Sequence, residues 1–148
     1  MRSTLVIVAL LTAACGATQG GPPSIVVDRT ACSHCGMLVS EVGYAAAYQT
    51  ADSEARVFDD IGCLLDAMRR AGVDPERGAQ VWFHDGGDGT WIDAKAAVFV
   101  RSTQIRTPMG GGIVVYRNAP HAAQVAARHN GSVVASLREL MNARGEQP

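Results

Sequence analysis

Phe58-Asp59-Asp60-Ile61-Gly62-Cys63-Leu64-Leu65-Asp66-Ala67-Met68-Arg69-Arg70-Ala71-Gly72 carries the signals that decide the fold. The stretch follows a short β-like run, Ala55-Arg56-Val57-Phe58. Asp59 or Asp60 then offers a carboxylate to the free N–H groups of a helix start. Ile61, Leu64, Leu65 and Met68 recur at i, i+3, i+4 and i+7, which is one face of a 3.6-residue period. Arg69 and Arg70 suit the negative end of the helix dipole, and Gly72 supplies the stop. A strand therefore leads into a helix with one apolar face, and that face needs a sheet to cover.

The flanks supply one. Tyr44 to Thr50 (YAAAYQT) predicts a strand with Tyr44 and Tyr48 on one face, and Ala51-Asp52-Ser53-Glu54 a turn. Gln80 to Phe83 predicts a third strand, followed by a hinge-like loop, Asp85-Gly86-Gly87-Asp88-Gly89. The same order then returns. Ala96–Arg101 and Ile113–Tyr116 read as strands around the loop Thr107–Gly112. Asn118 caps a helix with Pro120 in its first turn and Ala122, Val125, Ala126 and His129 on one face. Asn130-Gly131 stops it before a short strand, Ser132–Val134. Phe58-Asp59-Asp60 and Tyr116-Arg117-Asn118 hold equivalent places, 58 residues apart. The expected fold class is α+β: two packed ββαβ units, residues 31–88 and 89–148. The second ends in a C-terminal helix opened by the capping box Ser136-Leu137-Arg138-Glu139. Units of about 50 residues lie near the lower limit for a lone core, so the two should pack on each other.

The 148 residues are 47% hydrophobic and 18% charged, which excludes a disordered chain. Thirteen Lys and Arg against 14 Asp and Glu leave no cationic field for nucleic acid. Residues 1–14 combine a basic start, the apolar run Leu5–Ala14 and a small pair, Ala13-Ala14, the pattern of a signal peptide. The small pair directly before Cys15 also matches a bacterial lipobox, in which Cys15 becomes the acylated first residue of the mature chain. Gly16 behind it favours sorting to an outer membrane, and residues 15–30 open as a flexible tether. The expected address is the periplasm, with the membrane as a partner through that anchor. Thiols oxidise readily there, so Cys32, Cys35 and Cys63 need a reason.

Cys32-Ser33-His34-Cys35-Gly36-Met37 is the densest chemical cluster in the chain. Soft sulfur ligands select Cu(I), and a CxxC turn lets two sulfurs reach one ion. A closed zinc site would want four ligands, and no second CxxC or HxxxH pair exists to complete it. A simple Cys32–Cys35 disulfide is one alternative. A thioredoxin-type thiol–disulfide oxidoreductase is another; it would need a buried strand ahead of Cys32, for which Ser24–Val27 is the candidate, and a helix starting there. Met109 sits between Pro108 and three glycines, with little nearby to bury it. Cys63 points away from the Ile61/Leu64/Leu65/Met68 face, and the reading that favours it most is a small buried apolar residue. His84 and His129 read as structural or surface residues. Asp59, Asp60 and Asp93 can cap helices or accept hydrogen bonds near a site. No nucleophile elbow, phosphate loop or triad spacing is present, and Asp85–Gly89 lacks the downstream Glu of a calcium loop.

Cys32-x-x-Cys35-Gly36-Met37, Phe58-Asp59-Asp60-Ile61-Gly62-Cys63, Trp91-Ile92-Asp93-Ala94 and Thr107-Pro108-Met109-Gly110-x-Gly112 follow one another behind a lipobox. This succession resembles the NosL family, the accessory lipoproteins of nitrous oxide reductase. The resemblance implies a pair of ββαβ units and a non-enzymatic periplasmic chaperone that holds Cu(I). It implies as partners an ABC-type Nos maturation complex and, through it, the copper centres of nitrous oxide reductase. The residues it puts forward as metal ligands are Cys32, Cys35, Met37 and Met109, with Asp93 as a ligand or a support behind one.

Overall fold

The computed structural model describes residues 20–145. The expected signal peptide, the lipobox and Cys15 lie outside the described residues. Among the described residues, seven strands and three α-helices follow one another. They are β1 (Ala46–Thr50), β2 (Arg56–Phe58), α1 (Ile61–Ala71), β3 (Ala79–His84), β4 (Trp91–Asp93), β5 (Val98–Arg101), β6 (Ile113–Tyr116), α2 (Ala119–Arg128), β7 (Ser132–Val134) and α3 (Leu137–Gly145). They build two antiparallel sheets, ordered β2-β1-β3-β4 and β6-β5-β7. The ββαβ order occurs twice, as β1-β2-α1-β3 and β5-β6-α2-β7, with α3 at the end.

The helix signals act as their chemistry demands. Asp60 caps α1, its carboxylate accepting from Gly62 N–H, and Gly72 closes the helix in the left-handed conformation. Asn118 caps α2 by accepting from His121 N–H. Ser136 accepts from Glu139 N–H at the start of α3, and the Glu139 carboxylate reaches back to Ala135 N–H.

Apart from the edge strand β7, where Val133 is exposed, both sheets pack on two faces, and residue parity sorts their side chains. Phe58, Phe83, Phe99, Ile113 and Val115 join α1 in the main core. Val100, Val114 and Tyr116 point the other way, onto Ala122, Val125 and Ala126 of α2. Val57 and Ala45 face Val39 and Ile25 of the N-terminal segment. The two sheets meet where Phe83 of β3 sets its ring edge-on to Phe99 of β5, with centroids 5.1 Å apart. Such a pair contributes about 1 kcal/mol beyond its buried area.

The structure corrects the sequence reading at five places. Tyr44 ends a 3₁₀ turn (Val42–Tyr44) instead of opening β1, and it packs in the α2 cluster while Tyr48 lies in the main core. The two tyrosines therefore do not share a face. β5 starts at Val98, because Ala94–Ala96 form a 3₁₀ turn capped by Asp93. Trp91–Asp93 form a strand that three residues of pattern do not announce, and it pairs with β3 in the first sheet. Asp85–Gly89 is no hinge: the buried Asp85 accepts from Gly87 and Arg117 N–H, and Gly86 N–H donates to Val115. Ser24–Val27 forms no strand, and Val26 and Val27 lie exposed.

Candidate metal centre

Cys32 and Cys35 sit on a tight turn that is pinned from both ends. Cys32 N–H donates to the Met37 carbonyl, and Gly36 N–H donates back to the Cys32 carbonyl. Gly36 has φ +77°, which a residue with a Cβ rarely adopts and which this reversal requires. Ser33 N–H donates to Val57 of β2, and Ser40 N–H donates to the Asp59 carboxylate. The turn is thereby held against the end of β2, where the chain enters α1.

That junction brings in a third sulfur. Cys63 lies in the first turn of α1, and its Sγ together with those of Cys32 and Cys35 all lie within 4.8 Å of one another. Cys32 and Cys63 are buried and Cys35 is exposed, all three as free thiols. A metal–sulfur bond of about 2.3 Å in a trigonal plane asks for sulfurs about 4 Å apart, so the trio fits one soft ion. The floor of the site is buried and its mouth is Cys35.

The thiols hold their protons unequally. Burial pushes Cys32 up, but the backbone N–H groups of Asp59, Cys35 and His34 and the Cys35 thiol outweigh it and hold Cys32 below its ordinary value. Cys63 is pushed far up, first by burial, then by the charge of Cys32 and Cys35 and by hydrogen bonds to both. An incoming cation reverses that penalty by taking the place of the retained protons.

The other candidate ligands are placed as follows. Met37 and Met109 are exposed, at 58% and 45%. Met109 is tied to the same helix end as Cys63, because its N–H donates to Asp60 Oδ2 at 3.0 Å. Thr107 Oγ1 donates to the same oxygen. Asp93 stands elsewhere. It is aligned with Val57 through Trp82 and Ala47, three strands across the sheet, about 14 Å at ordinary strand spacing. Its carboxylate accepts from Lys95 N–H, and it is not among the groups gathered at the thiols.

His84 is buried against Trp91 with ring centroids 3.7 Å apart, so it is a structural residue. Cys63 is the residue the sequence reading passed over. The core stripe of α1 says only that Cys63 points away from it; the signal that pairs it with the CxxC is an odd cysteine three residues after a helix cap. The turn lacks the frame of a thioredoxin-type site, because among the described residues no buried strand precedes Cys32 and no helix starts there.

Comparison with known proteins gives a family model, NosL, matching residues 23–142. Among solved structures, the crystal structure of the copper chaperone NosL from Shewanella denitrificans is similar in fold, with a TM-score of 0.62 at 23% identity. The match covers 77% of this chain and 94% of that one. No curated protein sequence matches.

Proposed function

The chain belongs to the NosL family, and from that premise we propose that it is a copper chaperone whose cargo, Cu(I), is held by Cys32, Cys35 and Cys63. The observation that carries this reading is the convergence of three free thiols from two distant segments within 4.8 Å. Three thiolates are soft, match a monovalent copper ion, and leave no vacancy for hard ligands. They also differ in access. Cys35 lies at the surface while Cys32 and Cys63 are buried, so a partner's sulfur or imidazole can replace Cys35 first and draw the ion outward stepwise. The exposed thioethers Met37 and Met109 suit that handover as weak, neutral ligands.

The proposal extends to the compartment and client. Cys15, acylated, would hold the chain on the periplasmic face of the outer membrane. The receiver would be an ABC-type Nos maturation complex, and the final client nitrous oxide reductase. Support for these comes from the lipobox-like start and the family resemblance. Cys15→Ala should shift the chain from the membrane fraction to the soluble periplasm.

The test of the metal reading is anaerobic titration of the reduced chain with Cu(I) against a competing chelator, followed by X-ray absorption. One tightly held Cu(I) per chain with a shell of sulfur neighbours is expected. A shell of only nitrogen and oxygen, or activity in insulin reduction that survives copper chelation, would overturn it in favour of thiol–disulfide chemistry.

A further inference from the structure

Arg144 lies on α3, 81 positions along the chain from Cys63, yet its side chain reaches the helix turn that carries that thiol. Its Nε donates to Asp66 Oδ1 at 3.0 Å and its Nη2 to Asp66 Oδ2 at 2.9 Å, a paired contact that fixes the plane of the guanidinium. The group extends over Gly62. A Cβ built at Gly62 would stand 3.1 Å from Arg144 Nη2 and 3.3 Å from its Cζ. The side chain is only 26% exposed. The residue next to Cys63 thus has no side chain, and a cation occupies the space above it.

The charge around this helix end explains why a cation is useful there. Asp59 and Asp60 both lie buried at the start of α1, with carboxylates hydrogen-bonded to Ser40 and to Gly62, Met109 and Thr107. A monovalent ion on three thiolates adds two further negative charges. The N-terminus of α1 offsets part of this. Arg144 Nη2 and Asp60 Oδ1 flank one point, the Cβ position of Gly62, at 3.1 and 3.0 Å, so the guanidinium faces the helix end that carries Cys63.

We propose that Arg144 is the counter-charge of the loaded thiol cluster, oriented over Gly62 by Asp66, and that α3 is thereby part of the metal site. This rests on the reading that the three thiols hold Cu(I). It assigns Asp66 a positioning role, and it makes the α1–α3 contact more than a structural staple. The staple and the counter-charge are separable, because Arg144→Lys keeps a cation near Gly62 but cannot form the paired contact with Asp66.

The experiment is Cu(I) competition titration of the full reduced chain and of Arg144→Ala, Arg144→Lys and Asp66→Asn, with urea unfolding of each apoprotein alongside. Arg144→Ala should release Cu(I) about tenfold more readily, as loss of one nearby charge in a partly buried setting implies. Arg144→Lys should stay within about threefold of the native chain, Asp66→Asn, which frees the guanidinium, should fall between Arg144→Lys and Arg144→Ala, and the Arg144→Ala deficit should shrink in high salt. Equal loss in Arg144→Lys and Arg144→Ala would reduce Arg144 to a staple and overturn the proposal. So would an unchanged affinity in Arg144→Ala when Cys63→Ser has lost copper. Failure of the native chain to retain Cu(I) would overturn the metal reading itself, a different result from either.

Discussion

Asp60 Oδ2 accepts the backbone N–H of Met109 at 3.0 Å, and through this bond the second half of the chain is fastened to the helix start that carries Cys63. The same carboxylate accepts from Thr107 Oγ1 and, by its other oxygen, from Gly62 N–H. One buried side chain thus caps α1 and fixes the glycine-rich loop over it. Asp85 does the equivalent on the other side, accepting from Arg117 N–H across the two sheets.

Asp60→Ala should therefore cost more than an ordinary helix cap. It leaves one buried backbone donor, one part-buried backbone donor and a part-buried hydroxyl without their partner, and a loss of about 2–4 kcal/mol is expected. Urea unfolding measures it, and amide exchange at Met109 should quicken in the same variant. A loss below about 0.5 kcal/mol would show that water replaces these bonds freely.

The ligand ranking is testable by substitution. Serine at Cys32, Cys35 or Cys63 should each weaken Cu(I) retention at least about tenfold. Met109→Ala and Met37→Ala should have smaller effects on equilibrium retention and larger ones on the rate of transfer to an acceptor. If Met109→Ala equals Cys63→Ser in a chelator competition, the thioether is a full ligand and the three-thiol site is incomplete.

Gly112 has φ +64°, and a Cβ there would overlap the Ser102 carbonyl oxygen. The neighbour is backbone, so it cannot swing aside. Gly112→Ala should destabilise the chain by about 2–4 kcal/mol and loosen the Met109 loop. Thermal unfolding checks the first effect and exchange of the Met109 and Gly110 amides the second. Unaltered stability would mean that the loop and β5 separate at little cost.

His84 carries the pH prediction. Burial holds its imidazole below the ordinary value of 6.5, against a smaller opposing effect of the Ala45 carbonyl, whose oxygen lies 3.2 Å from Nδ1. That oxygen can only accept, so Nδ1 carries the proton of the neutral ring. The folded value is depressed relative to the unfolded one, so the stabilisation is full above about 6.5. It is lost as pH falls through the folded value. His84→Phe keeps the packing on Trp91 and should flatten this part of the curve. Denaturant midpoints between pH ~7.5 and ~4.5 provide the check; identical slopes in the two proteins would refute it.

Much of the architecture was legible because it rests on local chemistry. Asp60, Gly72, Asn118 and Ser136 act within a few residues of where they stand, and the stripes Ile61/Leu64/Leu65/Met68 and Ala122/Val125/Ala126 follow from helix periodicity. What misled was context. Tyr44 and Tyr48 have the spacing of one strand face, but Tyr44 belongs to a 3₁₀ turn that ends before the strand begins. Asp85–Gly89 has the composition of a flexible loop, but the Asp85 carboxylate finds Arg117 N–H in the other half of the fold. Trp91–Asp93 is too short to show a period and becomes a strand only because β3 presents a free edge.

The sequence by itself determined the three helices with their caps to within a residue, the strands other than Trp91–Asp93, the two-fold ββαβ order and the presence of a soft-ligand cluster at Cys32 and Cys35. Those follow from spacing, and spacing is a property of the chain. Only the tertiary structure decided that Cys63 is the third sulfur, that Asp93 stands three strands away, and that Arg144 covers Gly62. Each of these depends on where the end of β2, the start of α1 and the face of α3 meet. That meeting point is set by the packing of a shared core, a sum of many contacts distant in sequence, which no local pattern encodes.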